Sequence, residues 1–503
     1  MGEQAAARAE FRTTAGPVRG RRAPDGVTAV LGIPYAAPPF GPHRFRAPQP
    51  VSGWSTVRDC TAFGPVAPQS ARLPGAPVWR PGDEDVLTVN VWAPPASAPG
   101  PLPVLFWIHG GAYAFGSSAQ PDFDGAALAR RGPVVVSCNY RLGFEGFGHV
   151  PGAPDNRGLL DQAAALRWVQ ENIAAFGGDP GNVTVAGHSA GAASALCLMS
   201  MESARGSLRR VVAHSAPDAF FTPDVAAATS ARIAAAAGVA PTAAGLRSLS
   251  PRELVAGCDQ VAEACAGDPV TPLQAFAPVL FQPVIDGDVL PADPLSAPAG
   301  GASRNVDLLV CHTLEEYWFL HEVGAVRAAT DEAHLVALTE ALGLPARLIA
   351  GYRALTPGAP VLDLGLAIFG DAQFGEYGSR LAERHARAGG RAFLSRFARR
   401  RAGADGPVRP WHTADIPFAF GNLDAVGADF LIGGAPDAQD RALSRRMLGA
   451  WADFAACGDP GWPAVTADAT PVKLWSVPQD RLSYDADCPL RALWQDVAPV
   501  QHT

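Results

Sequence analysis

Short apolar runs rich in β-branched residues recur through the first 215 residues and alternate with helical patterns. Five runs predict strands with their following loops: VTAVLGIPYA (28–37), LTVNVWAP (87–94), LPVLFWIHG (102–110), PVVVSCNYRLG (133–143) and NVTVAGHSAG (182–191). Between the last two, apolar residues at helical spacing predict a helix that ends at Gly177 and Gly178: Leu159, Ala163, Leu166, Val169 and Ile173. This alternation predicts an α/β fold with a mostly parallel central sheet.

The second half of the chain is dominated by helical patterns. Residues from about 222 to 300 are Ala-rich and helical, NVDLLVCHT (305–313) predicts another strand, and helical patterns continue to about 400. We interpret 222–300 and 314–400 as helical insertions that form a cap over one end of the sheet. Neither a linker nor an internal repeat divides the chain, so residues 1–503 are predicted to form a single domain.

Composition and charge narrow the class of protein. The chain has 503 residues, 48% of them hydrophobic and 17% charged, which is typical of globular proteins. The net charge of −8 provides no basic field for nucleic acid. Lys473 is the only lysine and alanine is abundant, which we interpret as codon bias of a GC-rich, bacterial genome.

The apolar segments and the cysteines of the sequence indicate in which cellular compartment to expect the protein. The N-terminus has no continuous apolar segment, and no later run reaches about 18 apolar residues, so we expect a soluble, cytoplasmic protein without a membrane partner. Eight cysteines show no CxxC pair. The pattern therefore indicates neither a zinc site nor a disulfide scaffold, and no metal or cofactor is expected.

A candidate nucleophile lies in the last predicted strand–turn–helix segment. Ser189 is the centre of Gly187-His188-Ser189-Ala190-Gly191, directly after a strand and directly before a helix. This is the context of a nucleophile elbow, where a sharp turn requires small flanking residues. The alternative is a serine that only caps the helix N-terminus.

A serine nucleophile also requires hydrogen-bond donors for the developing oxyanion. The loop of WIHGGAYAFG carries small residues at Gly110, Gly111 and Ala112, whose backbone N–H groups can approach a substrate. Together with the N–H of Ala190, those of Gly111 and Ala112 would form a three-donor oxyanion hole. The alternative is an ordinary glycine turn.

These motifs, and others along nearly the whole chain, resemble the type B carboxylesterases, the family of the bacterial para-nitrobenzyl esterases and the cholinesterases. The resemblance rests on these segments: LGIPYAAPPFGPHRFRAPQPVSGW (31–54), EDVLTVNVW (84–92), WIHGGAYAFG (107–116), NYRLGFEGF (139–147), the stretch from Asn156 to Ala192, FQPVIDGDVLP (281–291) and GDP (458–460). It implies an α/β-hydrolase fold and a cofactor-independent serine esterase.

The resemblance also implies the remaining triad residues. In LLVCHTLEEYWFL it puts Glu316 at the acid position, with Glu315 as the alternative, and in PWHTADIPFAFGN it makes His412 the general base. An imidazole beside an ionised carboxylate is held in one tautomer and can carry a proton from Ser189 to the leaving alcohol. His188 and His214 match the family pattern of the base less well.

Other positions are structural by the same resemblance. Arg44 with Glu84, and Arg141 with Asp161, are expected to form buried ion pairs. Secreted relatives carry a disulfide at the positions of Ala67 and Val86, and this chain lacks both cysteines. Folding without a disulfide, in a reducing compartment, is therefore expected.

The expected reaction is acyl-enzyme hydrolysis of small, largely apolar carboxylic esters by a monomer or homodimer. Aromatic residues are predicted to line the substrate pocket, with core packing as the alternative for each: Tyr113, Phe115, Phe220, Phe221, Tyr317, Trp318 and Phe319. A specialised lactone, carbamate or polyester hydrolase on the same fold is the second hypothesis. A third is a non-catalytic binding protein, because relatives with this fold serve as adhesion ectodomains.

Overall fold

The computed structural model describes residues 8–71, 77–95, 100–297, 303–403 and 406–498. Strands in the described residues are β1 (Arg8–Arg12), β2 (Pro17–Arg22), β3 (Thr28–Pro34), β4 (Arg58–Asp59), β5 (Thr88–Ala93), β6 (Leu102–Ile108), β7 (Val134–Cys138), β8 (Gly178–His188), β9 (Arg210–His214), β10 (Asp307–Thr313), β11 (Ala392–Phe397), β12 (Arg401–Gly403), β13 (Gly406–Val408), β14 (Pro471–Trp475) and β15 (Arg481–Tyr484).

Helices surround these strands. They are α1 (Ala126–Ala129), α2 (Gly143–Phe147), α3 (Arg157–Asn172), α4 (Ala190–Ser200), α5 (Pro223–Ala236), α6 (Ala243–Ser248), α7 (Pro251–Ala264), α8 (Glu316–Glu322), α9 (Glu332–Ala341), α10 (Arg347–Leu355), α11 (Val361–Gly370), α12 (Glu376–Arg387), α13 (Ile416–Phe420), α14 (Ala428–Ile432), α15 (Ala438–Cys457) and α16 (Pro489–Trp494). A π-helical turn, Asp371–Gly375, joins α11 to α12. No described helix combines the length and the apolar composition that crossing a membrane requires.

One large sheet organises the molecule. Its strand order is β1-β2-β3-β5-β7-β6-β8-β9-β10-β11-β14-β15, with β4 paired to β2. The seven strands from β7 to β14 in this order are parallel, whereas both flanks are antiparallel. The carboxyl ends of β8, β10 and β11 therefore lie at one edge, which is where ligands bind in such sheets. The prediction of a mostly parallel α/β sheet is confirmed.

Helices cover the sheet on both faces, and successive strand residues point to opposite faces. In β6, Val104, Phe106 and Ile108 pack in one apolar cluster together with α3 and α4. Leu105 and Trp107 belong to a second cluster, which includes α13 and α15. Fully apolar strands of this kind are typical of parallel sheets covered by helices.

The five predicted strands of the first half correspond to β3, β5, β6, β7 and β8, and the predicted helix between the last two corresponds to α3. The first predicted insertion, 222–300, contains α5, α6 and α7. The second, 314–400, reaches too far, since β11 (Ala392–Phe397) is a parallel strand of the central sheet. Its helical part ends at Arg387.

Two buried arginines connect the loops beneath the cap. The expected pair of Arg141 and Asp161 is present, with Nη2 2.6 Å from Oδ1. The expected pair of Arg44 and Glu84 is wrong: Arg44 Nη2 lies 2.6 Å from Oε1 of Glu145 instead, and Glu84 is exposed. Glu145 lies on α2, inside the motif NYRLGFEGF, so the buried partner comes from a helix 101 residues away in the chain.

Candidate active site

Ser189 occupies the tight turn between β8 and α4. Its backbone has φ 56° and ψ −126°, a region that non-glycine residues rarely adopt. A Cβ on Gly187 would overlap the carbonyl of Gly191, and one on Gly191 would overlap the carbonyl of Ile108. Both glycines are therefore required by the close approach of backbone segments, and the strained turn presents Ser189 at the carboxyl edge of the sheet.

Backbone donors surround the serine. The loop after β6 has positive φ at Gly111 (115°), Ala112 (48°) and Tyr113 (59°). Within the described residues, the N–H groups of Gly111, Ala112 and Ala190 have no protein acceptor. Ala112, Ser189 and Ala190 line the same cavity. Three N–H groups of this kind are suited to bind an oxyanion.

Glu316 and His412 lie in direct contact. Oε2 of Glu316 is 2.5 Å from Nδ1 of His412, and both side chains are buried. The other carboxylate oxygen, Oε1, accepts hydrogen bonds from Ser215 Oγ and from the Thr313 N–H, each at 2.7 Å. In this arrangement Oε2 can accept the hydrogen of Nδ1, so Nε2 of the imidazole is directed away from the carboxylate.

Glu315 points away from His412. Its carboxylate binds Arg409, with Oε2 2.6 Å from Nη1, and also contacts Arg400. Glu316 begins α8 directly after Glu315, so the two side chains leave the turn in different directions. Of the two carboxylates that the sequence left open, only Glu316 contacts the imidazole.

The other histidines near the serine are placed differently. The ring of His188 lies 4.5 Å from the ring of His412, and burial holds the pKa of His188 well below its usual value. His214 pairs with Asp415, its Nδ1 2.5 Å from Oδ2. Cys311 lies close to both, but a 2.5 Å contact is a hydrogen bond and is too short for two ligands of one metal ion. Among the three histidines, only His412 lines the cavity.

The cavity in front of Ser189 has a volume of about 320 Å³. Side chains from the β6 loop, α2, α7, α8 and the π-helical turn enclose it, and most of them are apolar: Tyr113, Phe115, Phe144, Val255, Leu280, Phe281, Tyr317, Leu320, Val326 and Phe374. Gln69, Asp259, Gln282 and Gln373 add polar groups. The two helical insertions thus supply much of the wall.

Three of the seven predicted pocket aromatics line this cavity, namely Tyr113, Phe115 and Tyr317. The other four do not line it. Phe220 lines a smaller adjoining cavity, as does Phe221. Successive residues of a helix point about 100° apart, so on α8 Trp318 faces another cavity. Phe319 packs against Trp411, at a ring distance of 5.8 Å.

Sequence reasoning missed several lining residues. Phe144 and Phe281 lie inside motifs of the resemblance, NYRLGFEGF and FQPVIDGDVLP, so these motifs were an available signal. Phe374 stands 5.0 Å from the His412 ring, ring to ring, on the π-helical turn. Nothing in its local sequence marks that turn. Ser215, which holds Glu316, was likewise missed.

Comparisons with known proteins identify the family to which the chain is similar. The model of the carboxylesterase family matches residues 7–343. The para-nitrobenzyl esterase of Bacillus subtilis (strain 168) is 35% identical over 459 residues, covering 88% of this chain and 89% of the relative. The phenmedipham hydrolase of Pseudarthrobacter oxydans is 33% identical over 479 residues, covering 91% and 92%.

Comparison with solved structures also shows similarity to carboxylesterases. A carboxylesterase from Geobacillus stearothermophilus superposes with a TM-score of 0.84 at 34% identity, covering 97% of this chain and all of the other. A thermophilic para-nitrobenzyl esterase gives a TM-score of 0.84 at 33% identity, covering 96% and 99%. The chain therefore belongs to the carboxylesterase family, and it is a carboxylic ester hydrolase with the α/β-hydrolase fold.

Proposed function

We propose that Ser189, His412 and Glu316 catalyse ester hydrolysis through an acyl-enzyme. The observation that carries the proposal is the contact of His412 Nδ1 with Glu316 Oε2, at 2.5 Å, beside a cavity that both His412 and Ser189 line. The carboxylate fixes the orientation of the ring and stabilises the imidazolium that forms when His412 accepts a proton.

In the first half of the reaction, Ser189 Oγ attacks the ester carbonyl carbon and its proton passes to Nε2 of His412. The carbonyl oxygen becomes an anion, bound by the N–H groups of Gly111, Ala112 and Ala190. Collapse of the tetrahedral intermediate breaks the bond to the alcohol, which leaves with the proton from His412. In the second half, water repeats these steps on the acyl-enzyme and releases the carboxylic acid.

The substrate class that we propose is small, neutral and largely apolar esters. The aromatic and aliphatic side chains around Ser189 favour apolar acyl and alcohol groups. No arginine or lysine lines the described part of this cavity, so a carboxylate on the substrate would lose its hydration without gaining a cation partner.

Substitution of the serine tests the proposal. Ser189→Ala should lower kcat for a short aryl ester by at least ~10³-fold while circular dichroism and melting temperature stay near those of the parent. The matched control is Ser194→Ala on the next turn of α4, which should retain activity. A well-folded Ser189→Ala protein with normal turnover would exclude Ser189 as the nucleophile, as would stoichiometric organophosphonate labelling of another peptide.

We also infer that the protein resides in the cytoplasm of a bacterium as a monomer or homodimer. All eight cysteines are free thiols, and Ala67 and Val86 replace the cysteine pair of secreted relatives. These features support a reducing compartment. Fractionation of the native host cells tests the location, and light scattering of the purified protein tests the assembly state; a periplasmic location or a larger oligomer would overturn the respective inference.

A further inference from the structure

A second cavity lies on the far side of the turn that carries Glu316. It has a volume of about 500 Å³ and is separate from the one that Ser189 lines. The two cavities share walls, because neighbouring residues of the same segments face opposite sides. Glu315 and Trp318 face the second cavity, whereas Tyr317 faces the first; in the π-helical turn, Asp371 faces the second and Phe374 the first.

The arginines that line this second cavity already form ion pairs with carboxylates of the protein. Arg400 and Arg409 both bind the carboxylate of Glu315. Arg491 binds Glu376 and Glu383, and Arg396 contacts Asp485 at 2.7 Å. An incoming anion would have to displace a carboxylate that these cations already hold.

Asp371 is different, because none of the described cations forms an ion pair with it. Its Oδ2 accepts a hydrogen bond from the Tyr352 hydroxyl at 2.5 Å, and Trp494 Nε1 in turn donates to that hydroxyl oxygen at 2.9 Å. These two contacts fix the carboxylate without an ion pair, and Arg396 acts on it only through longer-range attraction. Asp363, two helical turns earlier on α11, also lines the cavity without an ion-pair partner among the described residues.

Most of the remaining lining residues are apolar or aromatic, and His312 and Thr356 add polar groups. Trp318, Leu355, Leu364 and Leu490 line the cavity, and the guanidinium of Arg409 stacks on the Trp318 ring. A cavity that combines a carboxylate outside any ion pair with mostly apolar walls is suited to a cation that carries an apolar body, since the carboxylate gains a partner and the body leaves water.

We propose that the second cavity is a binding site for a small organic cation, a protonated amine on an apolar or aromatic body, with Asp371 as its counter-charge. The site is distinct from the catalytic cavity and does not depend on the roles proposed for Ser189, Glu316 and His412.

Calorimetric titration with three molecules of similar shape tests this: 2-phenylethylamine, 2-phenylethanol and 3-phenylpropionate. The amine should bind with a Kd at or below about 10 mM, and the alcohol and the carboxylate at least about tenfold more weakly. Asp371→Asn keeps the shape and the hydrogen bond from Tyr352 but removes the charge, so it should weaken amine binding at least about tenfold. The control Glu202→Gln removes an exposed charge elsewhere and should leave the amine Kd unchanged.

A second variant tests whether the amine binds in the catalytic cavity instead of the second cavity. Ala367→Trp fills the second cavity without contacting the first, and it should abolish amine binding while ester hydrolysis continues. If Asp371→Asn does not fold, Ala367→Trp and Asp363→Asn decide the question by the same titration. Amine binding that survives these variants, equal binding of the carboxylate, or no amine binding at all would overturn the proposal.

The pH dependence of binding gives an independent readout. Burial raises the pKa of the Asp371 carboxyl to about 7. The groups that act on it from the surrounding elements are Tyr352 of α10, Glu316 of α8, Glu376 of α12 and Arg396 of β11. His312 of β10, whose pKa burial lowers to about 4, does not titrate near neutrality. Amine affinity should therefore rise as pH increases from about 6 to about 8, and this rise should be absent in Asp371→Asn; a flat profile in the parent protein contradicts the role of Asp371.

Discussion

Nδ1 of His214 lies 2.5 Å from Oδ2 of Asp415, and both side chains are buried. The pair repeats the distance between His412 and Glu316, but neither of its members lines the catalytic cavity. The carbonyl of His214 accepts the Ser189 N–H at 2.8 Å. The second pair is therefore placed to support the turn that carries Ser189, through this backbone hydrogen bond.

The first prediction concerns the stability contributed by this pair. Asp415→Ala leaves a buried imidazole without its acceptor and should reduce the free energy of unfolding by about 2–3 kcal/mol. Turnover by the folded protein should stay within about tenfold of the parent, because Asp415 does not contact the reacting atoms. Denaturant unfolding measures the loss of stability, and kcat determined on the same sample measures turnover. Unchanged stability with a loss of ~10³-fold in kcat would instead place Asp415 in the proton relay.

The second prediction separates the two adjacent glutamates. Glu316→Gln removes the ionised acceptor of His412 Nδ1 and should lower kcat by about 10³- to 10⁴-fold, as loss of a triad carboxylate does elsewhere. Glu315→Gln is the matched control. It disturbs the contacts with Arg400 and Arg409, so it should affect stability more than turnover. If Glu315→Gln is the more damaging to kcat, the assignment of the acid is reversed.

The tight turn at Ser189 could be predicted from sequence because its geometry is local. Gly187 and Gly191 are required by backbone contacts within and beside one strand–turn–helix unit, and their spacing is visible in five letters. The positions of Glu316 and His412 could be predicted only from whole motifs, since 96 residues separate them. Backbone pairing between their segments, with the Glu315 N–H 3.0 Å from the Pro410 carbonyl, brings them together.

Features that depend on packing between distant segments could not be predicted. The buried partner of Arg44 is Glu145 rather than Glu84, a choice set by how α2 packs beneath the cap. The direction of Trp318 depends on the rotation of α8, and Phe374 reaches His412 only because the chain forms a π-helical turn there. Such features depend on tertiary contacts, and the local pattern of hydrophobic residues does not encode them.

The third prediction concerns pH and stability. Burial raises the pKa of the Asp122 carboxyl to about 6, above its usual value near 4, so the native state binds more protons than the unfolded state between these pH values. Stability should fall as pH rises through this window, and the full penalty, on the order of 3 kcal/mol, is present well above pH 6.

Asp122→Asn removes that penalty. It should stabilise the protein at pH ~7.5 and leave stability nearly unchanged at pH ~4, where the native carboxyl is already protonated. The control Asp468→Asn replaces an exposed carboxyl and should change neither value. Denaturant midpoints at the two pH values measure the difference; equal effects of Asp122→Asn at both would contradict the proposed cost of ionising this group.

The last prediction concerns the cysteines. Cys60, Cys138, Cys197, Cys265 and Cys311 are buried, Cys258 and Cys488 are half-buried, and Cys457 is exposed. Burial raises the pKa of most of the thiols, for Cys60 to about 11, which suppresses the reactive thiolate at neutral pH.

A disulfide reagent should therefore modify Cys457 first in the native protein and all eight thiols after unfolding. Mild reductant should leave activity unchanged and shift the melting temperature by less than about 2 °C, whereas loss of a native disulfide typically costs about 2–5 kcal/mol. Fewer than eight thiols after unfolding without reductant, or Cys457→Ser reacting as fast as the parent, would show that the thiols are arranged otherwise.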